Sequence, residues 1–132
     1  MPMTHSTVKV AVASDEGDYL QVAFGDAEDG SDSYAILQLE KEPTKEDHEL
    51  GMAGIYIEIN GQEHSGYNAI NQIEIRRNAV SVFFDAVALD LSPEDSPIEF
   101  ACADERYPFS EVRDTLVLMG RMSETPVKIA VV

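Results

Sequence analysis

The chain has 132 residues, 44% of them hydrophobic, with 9 Lys+Arg against 25 Asp+Glu, for a formal net charge of −16. This length gives one domain, read over residues 1–132, with a core of its own, and the one cysteine, Cys102, excludes an internal disulfide framework. So anionic a surface repels phosphate backbones and lipid headgroups, which argues against nucleic acid and membrane as partners and favours a basic protein.

Residues 1–6 lack the basic and apolar stretches of a signal peptide and are expected to fray, and the chain reads as cytoplasmic. Val8, Val10 and Val12 alternate with Lys9 and Ala11, the two-residue period of a strand. Asp15–Asp18 is a turn, and Leu20, Val22 and Phe24 form the returning strand, with Tyr19 out of phase with that stripe. Residues 25–33 are an acidic loop carrying Asp26, Glu28, Asp29 and Asp32. Tyr34–Leu39 is partly apolar on both faces, as a central strand is. Thr44 with Asp47 three positions on resembles a capping box and predicts a short helical turn.

Ile55, Ile57 and Ile59 alternate with Tyr56, Glu58 and Asn60, and Asn60-Gly61 is the strongest hairpin-turn signal in the chain. The return strand, Gln62 to Tyr67, is polar and belongs near an edge. Ile70, Ile73 and Ile75, then Val80, Val82 and Phe84, predict a second hairpin with Asn78 in the left-handed region. Val87, Leu89 and Leu91 extend the strand pattern past a bulge at Asp85-Ala86, Ser92–Pro97 is an acidic loop, and Ile98 to Cys102 is a short strand. Phe109, Val112, Leu116 and Met119 fall at helical spacing, with Ser110 as N-cap and Gly120 as C-cap, and Val127–Val132 is a final strand. The class is therefore α+β: a strand-rich antiparallel sheet with one C-terminal helix packed on a face and a final strand.

Catalytic patterns are weak. His64 and Ser65 are adjacent, and extended neighbours point to opposite faces. His5, His48 and His64 lack the spacing of a zinc site and read as solvated surface residues. Aligning Gly30 with position 6 of a calcium loop puts Ile36 where a Glu is required, and Gly51-Met52-Ala53-Gly54 lacks the Lys and hydroxyl of a phosphate loop. No catalytic residue, metal site or cofactor is therefore assigned. Tyr19 and Tyr34 flank the acidic loop, and an exposed tyrosine beside acids suits a basic protein surface.

The run from Gly54 to Asn60, then Gly61-Gln-Glu-His-Ser-Gly-Tyr-Asn68, then Ile70 to Phe84, resembles the immunity protein 10 family of bacterial polymorphic-toxin systems. The resemblance implies a small cytosolic, non-catalytic protein that binds and neutralises a cognate toxin domain. With the charge, it makes Tyr19, Asp26, Glu28, Asp29, Asp32, Tyr34, Glu94 and Asp95 the candidate contacts to a basic toxin, a nuclease being one such target. Asn60, Gly61, Ser65, Gly66, Tyr67 and Asn68 read as a structural corner, with Gly66 and Asn68 in left-handed conformations and Tyr67 packed inward. The alternative is a small-ligand-binding module or a homodimer assembled through a sheet edge.

Overall fold

The period-two alternation of apolar residues gives most strands one face to bury, and the folded chain buries those faces between two layers. The computed structural model describes residues 5–7, 10–25, 34–101, 108–123 and 125–132. Among these, the strands are β1 (His5–Thr7), β2 (Val10–Asp15), β3 (Tyr19–Gly25), β4 (Tyr34–Glu40), β5 (Tyr56–Ile59), β6 (Ser65–Tyr67), β7 (Ile70–Arg76), β8 (Ala79–Phe84), β9 (Ile98–Ala101) and β10 (Lys128–Val131). Helix α1 (Lys45–Glu49) follows β4 and helix α2 (Phe109–Met122) precedes β10. The chain is α+β, with two five-stranded sheets: β2-β3-β4-β5-β6, antiparallel throughout, and β1-β9-β8-β7-β10, which has two antiparallel and two parallel pairings.

The single sheet expected from the pattern is thus two. Strand pairing begins at His5, inside the segment expected to fray, and β1 joins a different sheet from β2. At the other crossing, Asn68 turns the chain from β6 into β7 at φ 61. The outermost strands β1 and β10 of the second sheet pair in parallel with β9 and β7. For β10 this follows from α2, which supplies the long connection a parallel neighbour needs.

The inner faces meet in one continuous core. Val22, Leu37 and Ile57 from one sheet and Ile73, Val80 and Val82 from the other are fully buried. Phe24 and Phe100 stack across the layers, with centroids 4.6 Å apart and planes 6° apart, a pairing that contributes about 0.5–1.5 kcal/mol beyond its buried area.

Several local expectations are corrected. In β2 it is Ala11 and Ala13, opposite Phe24 and Val22, that face the core, while Val12 points outward with 43% exposure. The small inward residues leave room for α2, which packs on β2, β3 and β10 and buries Val112, Leu116 and Met119 completely. Each such burial is worth about 1.5–3 kcal/mol. The helix starts from Pro108, whose carbonyl accepts from Val112 N at 3.0 Å, so Ser110 lies inside the first turn. It also runs through Gly120 to Met122, because Gly120 is a contact with β10 rather than a cap: a Cβ there would lie 2.5 Å from Ile129 Cγ1. Residues 87–89 form a 3-10 turn in place of a strand, with Asp85 Oδ1 accepting from Ala88 N at 3.3 Å, Val87 exposed and Leu89 buried. Asn78 is not left-handed; Arg76 and Ala79 close a two-residue turn without positive φ.

Candidate partner-binding face

Each sheet has one face turned away from the core, and the two differ in chemistry. On the second sheet, Glu74, Ser81 and Glu99 lie in one cross-strand row. Arg76 donates to Glu74 Oε1 at 3.0 Å, to Ser81 Oγ at 3.1 Å and to Glu99 Oε2 at 2.9 Å, so the two carboxylates share a guanidinium. That face answers its own charge.

The outward face of the β2–β6 sheet is built differently. Antiparallel register puts Val12, Ala23, Ile36, Glu58 and Ser65 in one row across all five strands. The next row runs Ser14, Gln21, Gln38, Tyr56 and Tyr67. Tyr34 and Tyr19 lie at opposite ends of the same face, opposite Gly25 and Glu40 respectively. Gln38 Nε2 donates to Gln21 Oε1 at 2.6 Å, bracing the middle. Val12 remains 43% exposed, which places α2 on the inner side of β2 and leaves its outer side open.

Glu58 organises this face. Tyr34 Oη donates to Glu58 Oε2 at 2.6 Å and Tyr56 Oη to Glu58 Oε1 at 2.7 Å. The bond to Glu58, together with its charge, pushes the Tyr34 hydroxyl up to about 12. Burial holds Tyr56 above the ordinary phenol value, and burial followed by the charges of Glu40 and Asp47 does the same for Tyr67. The Tyr56 and Tyr67 rings meet at 5.2 Å. Partial burial and the neighbouring Asp47 raise the Glu40 carboxyl. No described Lys or Arg forms an ion pair with Glu58; Lys41 is held by Asp15 at 2.6 Å and Lys45 faces Glu49 at 4.0 Å.

The corner is structural in detail. Asn60, at φ 55, donates its backbone N–H to the Tyr34 carbonyl at 3.1 Å and accepts from Tyr34 N on Oδ1 at 2.7 Å, extending the β4–β5 pair. Gly61 follows at φ 133, and a 3-10 turn over 62–64 makes the hairpin longer and β6 shorter than the Asn-Gly signal alone predicts. Ser65 Oγ donates to the Gln62 carbonyl at 2.6 Å, and His64 Nδ1 lies 3.0 Å from the Leu89 carbonyl oxygen. His64 is therefore half-buried rather than solvated, and it and Ser65 face different partners. Gly66 is not left-handed: it is a strand residue whose missing side chain makes room for Leu89 Cδ2. Tyr67 does not pack inward; its pairing with Tyr56 turns it outward, at 38% exposure.

The structure brings Tyr19 and Tyr34 of the expected contacts onto one face. Glu94 is exposed in a 3-10 turn between β8 and β9, while Asp95 is buried there and its carboxylate accepts from Ser92 N at 3.0 Å. Asp26, Glu28, Asp29 and Asp32 lie outside the described residues. Sequence reasoning missed Glu58 and gave Tyr67 the wrong side. The available signal was the alternation of Tyr56 and Glu58 with Ile55, Ile57 and Ile59, which sends both polar groups to the face opposite the core. A shallow recess lined by Gly17, Asp18, Glu40, Lys41 and Glu42 is polar, unlike the mostly apolar pockets that hold small ligands. Among the described residues, no group of three or more His, Cys, Asp or Glu could hold a metal ion, and no helix is long and apolar enough to cross a membrane.

The family model for Immunity protein 10 matches residues 5–107, well over half of the chain, and the chain belongs to that family. No curated protein and no solved structure matches it significantly.

Proposed function

We propose that this Immunity protein 10 member binds a cognate bacterial toxin domain in the cytoplasm and blocks its active site, acting as an inhibitor and not as an enzyme. The family match over residues 5–107 carries this reading. The net charge of −16 supports a basic target. A nuclease is one such target, because a site that holds a phosphate backbone is positively charged. The mechanism is occlusion: acidic and tyrosine side chains cover the basic substrate-binding residues, and charge speeds capture.

The test is co-expression with the C-terminal domain of the protein encoded directly upstream. That domain alone should arrest growth, and this chain should restore growth and co-purify with it. A domain that is harmless alone, or that kills equally with and without this chain, overturns the proposal.

A further inference from the structure

We infer that the outward face of the β2–β6 sheet docks the toxin domain, with Glu58 receiving an arginine or lysine side chain of the toxin between Tyr34 and Tyr56. This rests on the toxin-binding reading and adds to it the surface and the chemistry of the contact.

The carboxylate is already in position. Its two oxygens accept from Tyr34 Oη at 2.6 Å and from Tyr56 Oη at 2.7 Å, both neutral donors, so its charge is oriented without being cancelled. Each oxygen has a second acceptor site, and together they match the fork of a guanidinium. On the other sheet, Arg76 already occupies the equivalent place between Glu74 and Glu99. No Lys or Arg stands at an outward position of the described pairings of β2 to β6, so among those positions Glu58 has no cation of its own and a basic side chain of the toxin suits it.

The surroundings have the character of an interface. Ile36 and the 43% exposed Val12 continue the Glu58 row, and Tyr67 is 38% exposed beside Tyr56. Aromatic residues around one charge-specifying group form the usual centre of a tight protein contact. Residues fixed on paired strands lose little freedom on binding, which preserves affinity. A second copy of this chain is a poorer occupant, because a two-fold dimer through this face would set one anionic surface against another.

The experiment measures binding of the purified chain to the domain encoded directly upstream, for wild type, Glu58→Gln, Glu58→Lys and the control Asp114→Lys. Asp114 is exposed on α2, so its variant makes the same change in net charge away from the sheet. Circular dichroism establishes folding, and Glu58→Gln, which keeps the shape and one acceptor, decides the matter if Glu58→Lys does not fold. The expected result is weakening on the order of 100-fold for Glu58→Lys and about tenfold for Glu58→Gln, with Asp114→Lys changed less than about threefold. If wild type binds and folded Glu58 variants bind as tightly, the face is wrong while the toxin reading stands. If wild type does not bind, the toxin reading fails and this inference with it. If sedimentation shows a homodimer that Glu58→Lys dissolves, the occupant is a second copy and the inference is overturned.

Discussion

The side-chain amide of Asn68 occupies the space that the missing Cβ of Gly54 leaves open; any β-carbon at Gly54 would overlap Asn68 Oδ1. Asn68 Nδ2 reaches the Gly51 carbonyl at 3.2 Å, and Asn68 N donates to the Ile55 carbonyl at 3.0 Å. The two residues therefore lock the entry of β5 to the exit of β6. Gly54→Ala should destabilise the protein by about 1–3 kcal/mol through overpacking. Adding Asn68→Gly should return part of the loss, since glycine tolerates φ 61 and removes the obstructing amide. Urea midpoints of the single and double variants measure the coupling; additive effects would contradict it.

Gly120 gives a prediction of unusual sign. Replacing glycine by alanine inside a helix ordinarily stabilises by about 1 kcal/mol. Here the new methyl would meet Ile129 Cγ1 at 2.5 Å, so Gly120→Ala should lower the thermal midpoint. The same substitution in an Ile129→Ala background should cost much less. A midpoint raised by Gly120→Ala alone would show that α2 and β10 are not packed as described.

Tyr34 links the outward face to pH. Its hydroxyl is pushed up to about 12 by the bond to Glu58, above the ordinary phenol value of 10.0. A raised folded-state value favours the folded state while the phenol is protonated. The contribution is therefore fully present below pH 10 and lost as pH rises from 10 to about 12. Absorbance titration should show a late-ionising tyrosine that moves toward the ordinary range in Glu58→Ala. An unchanged titration curve would mean that the bond does not form in solution.

Salt should act on the rate of complex formation more than on its lifetime. With a net charge of −16 facing a basic toxin, the association rate should fall about tenfold or more between roughly 50 and 500 mM NaCl. Stopped-flow mixing measures it. A flat salt dependence would remove electrostatic steering and the basic nature of the target together.

Much of the local architecture was legible in the chain. The capping box at Thr44 forms in both directions, with Thr44 N donating to Asp47 Oδ2 at 2.8 Å and Asp47 N to Thr44 Oγ1 at 3.1 Å, because both partners lie within one turn. The central place of β4 and the edge place of β6 followed from their apolar and polar faces. The split into two sheets did not, since period-two alternation reports which residues are buried and not which layer buries them. The helix ends were misplaced at Ser110 and Gly120 because a cap residue and a packing glycine have the same composition. The partner face was half legible: Tyr19 stood out by phase, and Tyr34 by its place beside the acidic loop. The clustering of Tyr34 and Tyr56 around Glu58 depends on the β4–β5 register, which only the folded chain fixes.

The most direct measurement of the central claim is a titration of toxin activity. The purified domain encoded directly upstream would be assayed against increasing amounts of this chain. Neutralisation by a tight protein inhibitor predicts a linear fall in activity to a sharp endpoint near one chain per toxin domain. Undiminished activity in the presence of a molar excess of folded chain would contradict the account.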